Sequence, residues 1–111
     1  MTAPARGSLL SNLRFPEDAE SFATLIDTGA VRIERIVSSG QVTPRGEWLV
    51  GERREFVVVV TGRARLSFER EAEPITLGPG DWVDISAGLR HRVDWTDPDQ
   101  PTVWLAVHFK I

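Results

Sequence analysis

Apolar and polar residues alternate along most of the chain with the two-residue period of β-strands. The strongest segment is residues 55–60, where four consecutive valines follow Phe56 and predict a strand buried on both faces. After the turn Thr61-Gly62, residues 64–68 alternate strictly, which predicts a strand with one face in the core. Further strands are expected at residues 31–37, 75–77, 82–85, 90–95 and 102–109, with a weaker one at 41–50 that Pro44 and Gly46 interrupt.

Glycine, proline and aspartate mark the turns between these segments. Gly78-Pro79-Gly80-Asp81, Ala87-Gly88 and Asp97-Pro98-Asp99 each combine residues that favour tight turns. Short strands that recur about every 8 to 12 residues are typical of an all-β sandwich or barrel. We therefore expect one all-β domain over residues 1–111, with its barrel at 31–110.

One short helix is expected ahead of the strands. Pro16 is followed by acidic residues and then by apolar residues at helical spacing, which predicts a helix over about residues 16–27. Gly29 stands where the C-terminal cap of that helix would fall. Residues 1–14 mix small and polar side chains, and we expect them to form a loose N-terminal arm.

Composition narrows the function classes. Thirteen Lys and Arg against sixteen Asp and Glu give a net charge of −3, which argues against nucleic acid or an anionic membrane as the partner. The absence of cysteine excludes disulfides, thiol nucleophiles and Cys-ligated zinc. No apolar run approaches the roughly 18–20 residues of a membrane span, and the N-terminus lacks a signal-peptide pattern, so a cytoplasmic protein is expected. Any site that uses imidazole must be built from His91 and His108, the only two histidines.

A glycine–histidine spacing in the second half of the chain resembles the second motif of the cupin family. That motif runs G, five residues, P, one residue, G, two residues, H, three residues, N. Gly80, Gly88 and His91 stand at the matching offsets, whereas Ser86 replaces the proline and Trp95 replaces the asparagine. The match is close over about residues 40–95, and the chain is identified as a small, single-domain cupin.

The first cupin motif is only half present. It runs G, five residues, HxH, three or four residues, E, six residues, G, and Glu55 and Gly62 fit its second part. The HxH pair is lost. Counting back from Glu55, the positions of its two histidines hold Leu49 and Gly51, or Trp48 and Val50.

The resemblance implies a double-stranded β-helix, or jelly-roll barrel, with a pocket at one mouth. In typical members the two histidines and the glutamate of the first motif join the histidine of the second in binding one divalent metal. Only Glu55 and His91 carry over to this chain. Zinc and non-haem iron sites generally use three or more protein ligands, so the resemblance implies a degraded metal site.

A third ligand would have to come from elsewhere. His108 shares a strand face with Trp104 by two-residue alternation. If this face points inward, His108 joins Glu55 and His91 in a set of two histidines and one carboxylate, a known iron ligand type. If the alternate residues face the core instead, His108 points to solvent or to a partner subunit. Glu52 is a further candidate ligand.

Aromatic side chains could line the pocket where metal ligands are missing. Trp48 lies in the segment that lost its ligands, Trp95 replaces the motif asparagine, and Trp104 shares its face with His108. These three and Val57 are the expected pocket walls, which would suit a sugar ring, another planar ring or an apolar acid. Packing in the core is the alternative role for the tryptophans.

The expected function is small-molecule binding in a cupin barrel, with no cofactor. If the protein is a metal-free enzyme, His91 would be the general acid–base and Glu55 would orient it. The alternative is a metal-dependent oxygenase or isomerase with Fe, Mn, Ni or Zn held by Glu55, His91 and His108. A homodimer is also expected, because the apolar run at 57–60 and an extended stretch near residues 9–13 of the arm both offer pairing surfaces, and because cupins commonly pair through barrel faces. A purely structural dimerisation module is a third option.

Overall fold

Eight β-strands in two antiparallel sheets make up the structure, a computed structural model that describes residues 2–110. In chain order they are β1 (Ser21–Asp27), β2 (Val31–Ser38), β3 (Arg54–Thr61), β4 (Ala64–Phe68), β5 (Ile75–Leu77), β6 (Trp82–Ile85), β7 (His91–Thr96) and β8 (Thr102–Phe109). The larger sheet has the order β1-β2-β8-β3-β6, and the smaller has the order β5-β4-β7. The described residues contain no helix, so the all-β class expected from the sequence is confirmed.

The hydrophobic core lies between the two sheets, where alternate residues of facing strands meet. In β3, Val57 and Val59 are 4% and 0% exposed, whereas Val58 and Val60 are only half-buried. The valine run therefore buries one face completely, and the prediction that both faces are buried is wrong. The buried members of the core are Val57, Val59, Ala64, Leu66, Phe68, Leu77, Ile85, Trp104 and Ala106.

A strand occupies the place of the predicted helix, so the helix at residues 16–27 is wrong. β1 pairs antiparallel with β2, and Thr28 N–H donates to the Val31 carbonyl at 3.0 Å to close the turn between them. Gly29 in this turn has a φ of 86°. A tight turn and a helix C-cap both favour glycine with positive φ, and the apolar spacing before it fits either element. The pairing with β2 shows that residues 21–27 form a strand.

The weak strand expected at residues 41–50 is also absent. This segment runs beside β7 and forms one isolated bridge, between Leu49 and His91. Pro44 has no N–H to donate to a ladder of hydrogen bonds, which is why the segment does not extend the smaller sheet.

β1 is an edge strand, and all of its residues are exposed. Its apolar side chains Phe22, Leu25 and Ile26 are 61%, 51% and 50% exposed. Exposed edge strands with apolar side chains tend to pair with another strand. The homodimer stays a prediction, and β1 is a better surface for it than the valine run, of which one face lies in the core.

An ion pair joins β3 to β6 on the outer surface of the larger sheet. Arg54 donates to both carboxylate oxygens of Asp84, at 2.8 and 2.5 Å. The hydrogen bond from Arg54 holds the pKa of the Asp84 carboxyl below its ordinary value. The guanidinium also lies 5.5 Å from the ring centroid of Phe109, so three strands of the sheet meet at this residue.

Gly62, the last residue of the first-motif spacing, is required by a close approach of two chain segments. It turns the chain from β3 into β4 with a φ of 91°. A Cβ at this position would lie 2.5 Å from Thr102 Cα and 2.8 Å from the Pro101 carbonyl oxygen. The Thr102 hydroxyl fixes the approach, since it accepts from Arg63 N–H at 3.2 Å and donates to the Arg63 carbonyl at 3.1 Å.

Replacing this glycine tests the close approach. Gly62→Ala is expected to lower the free energy of unfolding by about 2–4 kcal/mol, because strain at positive φ adds to a clash with backbone atoms. Urea unfolding measures the loss. The matched control is Gly80→Ala, where φ is 88° but no atom lies within 4 Å of the added Cβ. The control should lose only about 1 kcal/mol, and equal losses would contradict the steric explanation.

Candidate functional site

A cavity of about 410 Å³ opens between the two sheets. This volume lies within the range of pockets that hold small organic ligands. Its charged and imidazole side chains come mainly from the larger sheet and from the segment before β3. Its apolar wall is formed by Phe22, Ile36, Val57, Leu66, Ile85 and Trp104.

The strand register sets three polar residues side by side in this cavity. On β8, His108 lies opposite Arg32 of β2 and opposite Glu55 of β3. Residues directly opposite in antiparallel strands present their side chains on the same face of the sheet. All three line the cavity, so His108 points inward, which is the first of the two orientations considered from the sequence.

His91 enters the cavity from the smaller sheet. It begins β7, is 7% exposed and stacks on Phe68 with 6.1 Å between the ring centroids. Its Nδ1 lies 2.9 Å from the Leu89 carbonyl oxygen, which can only accept, so Nδ1 carries a proton. In the neutral ring Nε2 is then an acceptor, and it lies 3.9 Å from Glu55 Oε1.

His108 is held by a carboxylate that the sequence reasoning missed. Its Nε2 lies 2.9 Å from Glu34 Oε1 and 4.0 Å from Glu55 Oε2. With an ionised Glu34, His108 Nε2 is the donor of this hydrogen bond. Arg32, Glu34 and Ile36 alternate along β2 and all line the cavity. That alternation is the signal that could have identified Glu34.

Of the expected pocket walls, Val57 and Trp104 line the cavity, whereas Trp48 and Trp95 do not. Trp95 lies against Arg65, whose guanidinium carbon is 5.7 Å from its ring centroid. These two residues pair across β4 and β7 with their side chains on the outer face. Trp95 is therefore a surface packing residue, which the motif spacing did not reveal.

The segment that lost its histidines still borders the cavity. Leu49, Val50, Gly51 and Glu52 all contribute to the lining. Leu49 exchanges two backbone hydrogen bonds with His91, at 2.7 and 3.0 Å. The motif offset therefore identifies the correct place in the barrel, but an apolar side chain stands there in place of an imidazole.

Comparison with protein families agrees with this architecture. The family model for the cupin domain matches residues 37–108, which is more than half of the chain. The chain belongs to the cupin family. None of the curated proteins matches it.

Several solved structures have the same fold as this cupin. A protein from Ralstonia eutropha JMP134, provisionally described as a mannose-6-phosphate isomerase, is 41% identical over 97% of this chain and 100% of its own, with a TM-score of 0.95. A cupin superfamily protein from Desulfitobacterium hafniense DCB-2 is 16% identical over 98% of this chain and 94% of its own, with a TM-score of 0.77. The polyketide cyclase RemF from Streptomyces resistomycificus is 23% identical over 81% of this chain and 64% of its own, with a TM-score of 0.69. The last two establish a likeness of fold alone.

The donor atoms of this cupin do not fit the metal site that the family implies. Within residues 2–110, no group of three or more His, Asp or Glu side chains has the arrangement of a metal site. His91 Nε2 is available, but His108 Nε2 is bound to Glu34. A metal that took Nε2 of His108 as a ligand would have to break this hydrogen bond. No helix in the same part of the chain has the length and apolar character needed to cross a membrane.

The two histidines are expected to carry opposite neutral tautomers. His91 should be protonated at Nδ1, which donates to a carbonyl, and His108 at Nε2, which donates to Glu34. Two-bond ¹⁵N–¹H NMR spectra above the titration range of both rings distinguish the two forms. Glu34→Gln should change the pattern of His108 and leave that of His91. The same tautomer on both rings would contradict these hydrogen-bond assignments.

Proposed function

We propose that this cupin binds a small polar organic molecule in the cavity between its sheets. The surroundings of the Glu55 carboxylate support this proposal. Its two carboxylate oxygens lie 3.9 Å from His91 Nε2 and 4.0 Å from His108 Nε2, too far for direct hydrogen bonds. The carboxylate therefore faces the cavity with acceptor capacity that a ligand can use.

The polar groups at the centre of the site favour a ligand that donates hydrogen bonds. When ionised, Glu55 can only accept hydrogen bonds, and His91 Nε2 accepts in the tautomer described above. Hydroxyl groups of a small molecule can satisfy both acceptors at once. Trp104 adds an aromatic wall whose indole Nε1 is already bound to Ser38 Oγ at 3.1 Å, so its ring supports packing rather than polar contact.

An acid–base isomerase is a second candidate function. It is favoured by the provisional description of the 41% identical protein as a mannose-6-phosphate isomerase and by the acceptors that converge here. Aldose–ketose conversion moves a proton between neighbouring carbons, and an unprotonated His91 Nε2 or Glu55 could take up that proton. In this candidate function His91 is the general acid–base, and the Leu89 carbonyl, rather than Glu55 as the sequence suggested, orients its ring. Conversion of mannose 6-phosphate to fructose 6-phosphate by metal-free protein, lost in Glu55→Gln, tests this candidate.

Ligand binding itself is tested by screening a fragment library of small hydroxylated molecules with ¹⁵N–¹H NMR. Molecules that bind should shift the indole resonance of Trp104 and the ring resonances of His91. Glu55→Gln should weaken their binding at least about tenfold, because a hydrogen bond to a charged acceptor is lost.

The matched control is Glu71→Gln, which removes the same charge from an exposed turn between β4 and β5. It should leave the affinities unchanged. Shifts confined to Trp82 and Trp95 on the outer surface, or no binding by any member of the library, would contradict the proposal.

A further inference from the structure

Arg32 is a cation in the cavity that has no counter-ion among the side chains of residues 2–110. It is half-buried near the start of β2, beside the edge strand of the larger sheet, and lines the cavity. Its Nε is buried and has no hydrogen-bond partner within residues 2–110. None of the ion pairs in that part of the chain includes Arg32. A buried donor without an acceptor is costly, so an arginine in this state needs an explanation.

The carboxylates near Arg32 accept hydrogen bonds from other groups. Glu34 accepts from His108, and Glu20 accepts from the Ser38 hydroxyl. Asp27 lies opposite Arg32 in the pairing of β1 with β2, but its Oδ1 accepts from the N–H of Gly29 at 2.9 Å. The second arginine of the cavity differs from Arg32 in this respect, because Arg53 Nη2 donates to the Gly29 carbonyl at 2.8 Å.

We propose that Arg32 binds the anionic group of the ligand and that the ligand is therefore a small hydroxylated anion. The inference rests on the proposed binding function and adds the chemical class to it. The guanidinium group is a planar fork of donors that matches carboxylate and phosphate oxygens. An anion at this point would supply the acceptor that Arg32 Nε lacks within residues 2–110.

The position of Arg32 relative to Glu55 fits a ligand with different chemistry at its two ends. Both residues lie opposite His108, one on each side, so β8 separates their strands. Two strand spacings put their Cα atoms about 10 Å apart. A ligand that reaches both must be elongated, with its anion at Arg32 and its hydroxyl donors at Glu55 and His91. The repulsion between Glu55 and an anion favours this orientation over the reverse.

Two matched pairs of compounds test the charge requirement. D-gluconate and D-glucitol share a hydroxylated six-carbon chain and differ in the carboxylate, and D-mannose 6-phosphate and D-mannose differ in the phosphate. At least one anion should bind about tenfold or more tightly than its neutral counterpart, and the pair that responds identifies carboxylate or phosphate as the natural group. Because Arg32 Nε–H is buried, its ¹⁵N–¹H resonance should be protected from exchange with water, and it should shift when the anion binds.

Arg32→Met should abolish the preference for the anion and retain the binding of the neutral compound. Arg65→Met, which removes an equal charge from the outer face beside Trp95, should keep the preference. Equal affinity for charged and neutral partners, or a preference that survives in Arg32→Met, overturns the inference and leaves the proposed function intact. Failure of all four compounds to bind also overturns the inference. The proposed function is tested independently of these compounds, by the binding of fragments at Glu55.

Discussion

The position of β8 between β2 and β3 is the constraint on which the cavity depends. Its hydrogen-bond register places His108 opposite Arg32 on one side and opposite Glu55 on the other. A shift of one residue would turn all the inward side chains of β8 to the outer face. The buried residues Trp104 and Ala106 on the same face prevent such a shift, because it would move both out of the core. Packing of the core therefore fixes the polar residues of the site.

Hydrogen bonds within the protein determine which polar groups in the cavity a ligand could contact. His108 is held by Glu34, and His91 is oriented by the Leu89 carbonyl. In the described part of the chain, the Glu55 carboxylate and Arg32 Nε have no hydrogen-bond partner, and the two side chains have opposite charges. In a metal-binding cupin the corresponding barrel interior is organised around an ion. We propose that the acceptors and the cation of this cavity bind an organic molecule that carries complementary groups.

Much of the fold followed from the sequence, because strand alternation and turn residues are local signals. The motif spacing identified Glu55, Gly62 and His91, and each of them occupies the barrel position that the spacing implies. The predicted helix at β1 is wrong because the apolar spacing of this segment and the glycine after it are compatible with a helix and with a strand. Only the pairing with β2, which is a tertiary contact, distinguishes them.

The rest of the site could not be predicted in the same way. The direction of His108 depends on the register of β8, and both faces of that strand are apolar enough to lie inward. Arg32 and Glu34 are charged residues on a strand, a pattern that usually indicates a solvated face. Their alternation with Ile36 shows that they share a face, but only the pairing of β2 with β8 places that face in the cavity.

We infer that hydrogen bonds, rather than a metal, hold the two histidines in place. Elemental analysis of protein prepared without a histidine tag, from medium supplemented with Fe, Mn, Ni and Zn, tests it most directly. We expect less than about a tenth of an equivalent of any metal and no rise in melting temperature when metals are added, since a ligand specific for the folded state would stabilise it. A nearly stoichiometric metal that raises the melting temperature, and that is lost in His91→Ala, would contradict the account.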